Sequence, residues 1–202
     1  MKKIMFSTKY GLEQAVLERK KTTTRRLITL PDGLGVNDLW HPVMRRNKRQ
    51  VYFTFDCVDG KQRAIYPQYQ IGEKVAVAQS YHALNKAGYL APEWLNHTCK
   101  DSAGYENKMF VRADLMPHGI RITNIMLQRL QDISDDDCIR EGVIKWMDSY
   151  IVTGIMQHNS KNNICFDTPR QAFATLIDHI CGNGTWQLNP WTFAYEFELI
   201  KF

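Results

Sequence analysis

Two runs of basic side chains are the first groups in this chain that could do chemistry. Residues 19–26 read Arg-Lys-Lys-Thr-Thr-Thr-Arg-Arg, with five cations in eight positions, and residues 45–49 read Arg-Arg-Asn-Lys-Arg, with four in five. Acid is collected elsewhere, in Asp132, Asp135, Asp136, Asp137 and Glu141. Such segregation can build a positive face on a chain whose net charge is only +5, and a positive face suits phosphate. Recognition of splayed bases also needs aromatic rings to stack on. The chain has five Trp, nine Tyr and nine Phe; most are needed for core, but Tyr69 and Tyr81 lie at the ends of a strand-like segment, where a ring can reach a cleft. Arg112 and His118 flank a Met116-Pro117 turn and are further candidates for phosphate or base, ranked below Arg25 and Arg26; Lys20 is a candidate as well. The five cysteines, Cys57, Cys99, Cys138, Cys165 and Cys181, include no Cys-x-x-Cys pair. His97 and Cys99 have no second ligand pair at suitable spacing, so the pattern calls for no metal and no cofactor, and buried thiols are expected instead.

The elements that must position these groups are legible in part. With 44% apolar and 23% charged residues, the chain has the balance of an ordinary globular domain. No run of 18 uncharged apolar residues exists, so no membrane span is expected. The start, with only Ile4 to Phe6 as an apolar run, reads as a first strand and not as a signal peptide; a soluble, cytoplasmic protein is expected. A helix over 10–20 leads into the basic segment, whose three threonines favour extended chain. Residues 31–49 read as loop. Alternation predicts a strand over 50–58, an Asp59-Gly60 turn and a return strand over 61–66. A third β segment covers 73–81, an irregular insert 82–108, and a short strand or extended loop 109–114. A strand is expected over 119–130. Ser134 before three aspartates caps a helix that ends near Glu141 and Gly142. Thr168-Pro169 opens another that Gly182 closes. The last segment, Trp-Thr-Phe-Ala-Tyr-Glu-Phe-Glu-Leu-Ile, alternates as a terminal strand. Strands and helices interleave irregularly, which implies an α+β fold with a mixed or antiparallel curled sheet, in a single domain over residues 1–202.

Four segments in this order resemble the ASCH domain, a relative of the PUA RNA-binding barrel. They are the helix followed by KKTTTRR at 20–26, YQIGEKVAVAQSY at 69–81, MPHGIRITNIMLQRLQDISDDDCIREGV at 116–143, and the aromatic strand after NGTWQLNPW at 183–191. The layout is similar to that of ASCH proteins from phages and prophages. The resemblance implies a PUA-like curled mixed β-barrel with flanking helices and loop insertions, here near 31–49, 82–108 and 144–168. It also implies a cleft between the basic Lys-Thr turn and the end of the acidic helix, with the region of Arg112 and His118 approaching it. In compact bacterial members of the family that cleft hydrolyses the amide of N(4)-acetylcytidine with a lysine, a threonine three residues on and the glutamate that ends the acidic helix. The matching positions here are Lys21, Thr24 and Glu141.

The chemistry of that set is coherent. A threonine hydroxyl is a poor nucleophile until a base takes its proton. A lysine becomes such a base when desolvation and neighbouring cations lower its pKa, and Arg19, Lys20, Arg25 and Arg26 surround Lys21. Glu141 can orient the lysine or protonate the leaving amine. The plainer alternative is a solvated basic turn and a helix-end carboxylate. The leading expectation is therefore a cleft that binds RNA or a modified nucleotide or nucleoside. The alternatives are an amidohydrolase for an acylated nucleoside, with Thr24 as nucleophile, Lys21 as base and Glu141 as acid or orienter, and an interaction protein with a vestigial cleft.

Overall fold

The aromatic strand at the end of the chain organises everything else. The structure is a computed structural model that describes residues 1–30, 33–35, 37–47, 50–90, 100–157, 160 and 162–202. In chain order the described strands are β1 (Lys3–Ile4), β2 (Thr23–Leu27), β3 (Leu39–Arg46), β4 (Val51–Cys57), β5 (Gln62–Ile65), β6 (Lys74–Val77), β7 (His118–Arg129), β8 (Ile144–Trp146), β9 (Ser149–Ile151) and β10 (Trp191–Lys201). The α-helices used below are α1 (Leu12–Leu17), α2 (Tyr81–Lys86), α3 (Asp135–Arg140), α4 (Pro169–Cys181) and α5 (Thr185–Leu188).

β10 lies between β7 and the edge strand β2 in a five-stranded sheet of order β1-β6-β7-β10-β2. It pairs antiparallel with β7 from Trp191↔Arg129 to Lys201↔His118, with a register shift between Glu196 and Phe197. On its other side it pairs antiparallel with β2, Tyr195 opposite Thr24 and Glu196 opposite Thr23. The β-branched threonines fit this pleated edge, where their stiff χ1 costs little. β1 joins β6 in parallel, so the sheet is mixed. A meander, β3-β4-β5, forms a second sheet. Its inner face packs on β10 through Phe53 against Phe193 and Phe55 against Trp191, ring centroids 5.6 Å apart in both pairs. One buried cluster runs through both sheets and α4, from Ile4 and Val16 to Phe53, Ile125, Phe173 and Tyr195. A smaller one gathers Ala76, Leu84, Val111 and Met116.

The structure is thus α+β with a mixed main sheet, and the pairing of the terminal strand with the strand near 120–130 is as expected. Among the described residues the sheets do not close into a barrel. No described helix is long and apolar enough to cross a membrane.

Several local expectations need correcting. The stretch 31–49 was expected as loop but contains β3. Its period-2 pattern is broken at His41, which has φ 48°, and by a register shift between Trp40 and Val43, so the alternation that marks a strand is lost. Pro31, Asp32, Val36, Lys48 and Arg49 lie outside the described residues, as do 91–99, with His97 and Cys99, and 158, 159 and 161. The helix expected over 10–20 is shorter, Leu12–Leu17. The third β segment stops at Val77 because Ser80 already caps α2, its side chain accepting from the Ala83 amide at 3.1 Å. The stretch 109–114 is not a strand; it runs through 3-10 turns at Lys108–Phe110 and Ala113–Leu115. The insert at 144–168 contains the β8-β9 hairpin.

Candidate functional site

A tight reversal after α1 sets up the site. Arg19 adopts φ 61°, and the amides of Lys20 and Lys21 both return to the Ala15 carbonyl, at 2.8 and 2.9 Å. Lys21 is thereby folded back beneath α1 before β2 begins. The Thr22 amide donates to the Arg140 carbonyl at 3.0 Å, and the Thr22 carbonyl accepts from the Phe197 amide at 3.0 Å. This residue pins the start of β2 between the end of α3 and β10. α3 is itself fixed by Ser134, whose hydroxyl accepts from the Asp137 amide at 3.1 Å, and by three aspartates in its positive first turn. Gly142 follows with φ 111°, and a Cβ there would meet Leu12 Cδ2 at 2.8 Å. Only glycine lets the end of α3 come this close to α1 and Lys21.

The result is a buried ionic cluster. Lys21 Nζ donates to Glu141 Oε2 at 2.6 Å and to the Glu141 carbonyl at 2.7 Å. Arg25 donates from Nη1 to Glu141 Oε1 at 3.1 Å, and from Nη2 to Gln128 Oε1 at 2.7 Å and Asp137 Oδ2 at 2.9 Å. The side chains of Lys21, Arg25 and Glu141 are only 2%, 1% and 5% exposed. Arg140 extends the network, donating to Asp137 Oδ1 at 3.2 Å, Thr22 Oγ1 at 3.2 Å and Glu196 Oε1 at 3.0 Å. Each carboxylate here is already engaged by a cation.

This cluster forms the floor of a cavity of about 370 Å³. One wall is polar, with Lys21, Thr24, Arg25, Arg26 and Glu141; the other is the apolar stripe of α4, with Phe173, Leu176, Ile177 and Ile180. α4 presents that stripe because Thr168 and Gln171 form a capping box and Pro169 sits in the first turn. Phe6 lines the cavity as well, with Lys21 Nζ 5.8 Å and Arg26 Cζ 5.7 Å from its ring centre. The lining residues Met5, Leu27, Gln68, Ile180 and Cys181 are exposed and mark the mouth.

The polar groups left for a ligand are few. Arg26 donates from Nη2 to the Met5 carbonyl at 2.7 Å; its Nε and that of Arg25 are buried and have no partner. The Thr24 hydroxyl makes no hydrogen bond to the described residues. Two of the three Lys21 donors are used, leaving one. Burial pushes the Lys21 ammonium below the ordinary lysine range; Glu141 opposes the drop, and Arg26 and Arg25 add to it. Cys138 in α3 is an inert thiol, pushed up to about 12 chiefly by burial.

Two consequences of the Lys21 environment are measurable. In heteronuclear NMR of its Cε, Lys21 should lose its proton below the usual lysine range, and Glu141→Gln should move that titration lower still, because Glu141 is the group opposing the drop. Unchanged titration in the variant would contradict the pairing. Between the folded-state and ordinary pKa values the unfolded chain holds a proton that the folded chain has released. Lys21 therefore makes stability rise with pH across that window.

Of the ten residues expected at a site, the cavity gathers Lys21, Thr24, Arg25, Arg26 and Glu141. The other five are elsewhere. Lys20 is exposed and pairs with Glu18. Tyr69 is buried, its ring edge-on to Tyr195 with centroids 5.4 Å apart and its hydroxyl donating to the Lys3 carbonyl at 3.1 Å; it is core and offers no free face for stacking. Tyr81 begins α2 and packs on the smaller cluster. Arg112 is exposed and forms a fork with Asp114, two residues on. His118 is half-buried against Tyr89, with its pKa lowered by burial and by Lys201. Arg25 reaches the site but not as a phosphate clamp, since its terminal nitrogens are bound by Glu141, Gln128 and Asp137. The residues sequence reasoning missed are Asp137, Gln128, Phe6 and the α4 stripe. Asp137 was within reach of pattern reading, because it lies four positions before Glu141 on the same helical face.

Comparison of the chain with family models, with curated proteins and with solved structures finds no match.

Proposed function

We propose that this cavity binds a single modified nucleoside or nucleotide, within a PUA-like fold of the ASCH type. The observation that carries the reading is the two-sided cavity: the apolar stripe of α4 faces a wall of hydrogen-bond donors, with Phe6 beside Lys21 and Arg26 of that wall. Its volume falls in the low range of small-molecule sites, roughly 300–1,000 Å³, which suits one nucleoside and excludes a longer oligomer from the interior. A flat base fits between Phe6 and the aliphatic stripe. The unused donors on Arg26, Thr24 and Lys21 suit an acceptor-rich ring such as an acylated pyrimidine.

Binding is put ahead of catalysis for a geometric reason. An activated nucleophile should be hydrogen-bonded to its base, whereas two of the three Lys21 donors go to Glu141 and none to Thr24. Amide hydrolysis remains the second reading. It is favoured by the convergence of Lys21, Thr24 and Glu141 on one cavity and by the lowered Lys21 pKa, and catalytic contacts often tighten only with substrate present.

Calorimetric titration with N(4)-acetylcytidine, cytidine and cytidine monophosphate tests the proposal. Wild-type protein should bind at least one of them. Arg26→Met, which keeps the stem over Phe6 but removes the free donor, should weaken binding by roughly tenfold or more. No binding by wild type, or equal binding by Arg26→Met, would count against the cavity as a nucleoside site.

A further inference from the structure

The three-stranded sheet has an outer face that its core packing does not explain. Val51, Phe53, Phe55 and Cys57 of β4 point inward and are buried. Tyr52, Thr54 and Asp56 alternate with them and face the other way; Tyr52 and Asp56 are partly exposed, while Thr54 is buried. The register sets Arg45 opposite Tyr52, and Val43 and Ala64 opposite Thr54, on that same outer face. Tyr66, just beyond β5, continues its outward series. Its ring stacks on Tyr52, centroids 5.5 Å apart and planes 26° from parallel. Tyr66 is 53% exposed, so one side of this two-ring stack is covered by Tyr52 and the other is open. Arg45 is exposed and makes no ion pair with the described residues, in contrast to Arg25, Arg63, Arg112 and Arg140, which all do.

A preformed stack, open on its Tyr66 side and flanked on its Tyr52 side by the uncommitted Arg45, offers a single-stranded polynucleotide a ring and a cation. The ring stacks on a base whatever its identity, and the cation takes the phosphate. The placement adds a second argument. Pro67 and Gln68 follow Tyr66 directly, and Gln68 is an exposed lining residue at the cavity mouth. Two residues span at most about 7 Å of extended chain, comparable with the step between neighbouring nucleotides.

We propose that the outer face of β3-β4-β5 is a stacking platform for single-stranded nucleic acid, with a base on Tyr66 and a phosphate on Arg45. The nucleotide held in the cavity is then one unit of a strand whose neighbour lies on Tyr66. The platform stands on its own geometry; only this register along the strand rests on the nucleoside reading of the cavity.

Fluorescence anisotropy with a labelled, pyrimidine-rich single-stranded RNA, its DNA counterpart and the corresponding duplex tests the platform. The single strand should bind more tightly than the duplex, whose bases are closed to stacking. Tyr66→Ala should weaken strand binding roughly 5- to 100-fold, while Tyr66→Phe, which keeps the ring, should stay close to wild type. Arg45→Gln should reduce the slope of log affinity against log salt by roughly 0.7. Binding of RNA alone would add a 2′-hydroxyl contact to the platform; equal binding of RNA and DNA would leave stacking and phosphate as the whole recognition. An unchanged affinity in Tyr66→Ala, a loss in Tyr66→Phe equal to that in Tyr66→Ala, or a preference for the duplex would overturn the proposal. Calorimetry with free nucleoside separates the two sites. Tyr66→Ala should leave nucleoside binding at the wild-type level. Nucleoside binding without strand binding would refute the platform alone, and strand binding sensitive to Tyr66 without nucleoside binding would refute the cavity reading alone.

Discussion

Glu141→Ala should destabilise the protein by about 3–5 kcal/mol, the range for removing one partner of a buried ion pair. The substitution leaves Lys21 with only the backbone carbonyl of residue 141, and Arg25 with Asp137 and Gln128. Lysine has a way out that arginine lacks, since it can shed its proton. From an ordinary pKa near 10.4, neutralising it at about pH 7 costs roughly 4.6 kcal/mol, which caps the Lys21 share of the loss. In the variant the folded chain should release that proton at lower pH than in wild type. The deficit should therefore shrink as pH rises, because the unfolded chain then holds protons the folded chain does not. Glu141→Gln retains the shape and one acceptor and should cost less than Glu141→Ala. Urea unfolding at about pH 7 and about pH 9 measures both effects. A loss under about 1 kcal/mol, the size of a solvated surface pair, would mean that the cluster is not buried in solution.

Thr24→Ala carries the other large effect, and it applies to the hydrolytic reading. If the cavity cleaves an acylated nucleoside, removal of this hydroxyl should lower kcat roughly 100-fold or more, and Lys21→Ala should do the same, because a nucleophile and its base act as one unit. The neighbouring threonines are controls with known environments. Thr22 Oγ1 accepts from Arg140 at 3.2 Å, and Thr23 Oγ1 is buried without a partner; neither residue lines the cavity. Thr22→Ala and Thr23→Ala should keep most of the turnover. The rate should fall at low pH as Lys21 takes up its proton, with an apparent pKa below that of free lysine. Acetate release that is equal in wild type and Thr24→Ala would exclude Thr24 as the nucleophile.

What the sequence made legible follows the range over which each signal acts. The alternation in β10 is local and strong, and the strand is paired on both sides, by β7 and β2. The Thr168-Pro169 start and Gly182 end of α4 are equally local, as is the Ser134 cap that begins α3. β3 escaped because a bulge at His41 breaks its alternation, so proline and glycine nearby made it look like loop. Tyr69 looked like a rim residue because it lies at a strand end. The Gln70–Glu73 turn instead folds it inward onto Tyr195. Arg112 had its partner two positions away in Asp114, a pairing that spacing alone could have suggested. The Lys21–Glu141 contact is the opposite case, since the two residues lie 120 positions apart and no local pattern joins them. They meet because Thr22 bridges α3 and β10 and because Gly142 admits Leu12. Family resemblance named both residues, and their chemistry allowed Glu141 to orient the lysine, but neither foresaw that Arg25 would be spent on the same carboxylate. The Tyr52–Tyr66 stack depends on register across β4 and β5, which periodicity does not set.

The most direct test of the central claim is a map of ligand-induced amide chemical shifts. With N(4)-acetylcytidine added to wild-type protein, perturbations should concentrate at Phe6, Lys21, Thr24, Arg26, Glu141, Leu176 and Ile177, the residues of the two facing walls. Shifts that saturate there and leave α2 and the β8-β9 hairpin unmoved are the predicted result. No saturable shift with any acylated or unmodified nucleoside, or shifts confined to residues outside the cavity, would contradict it.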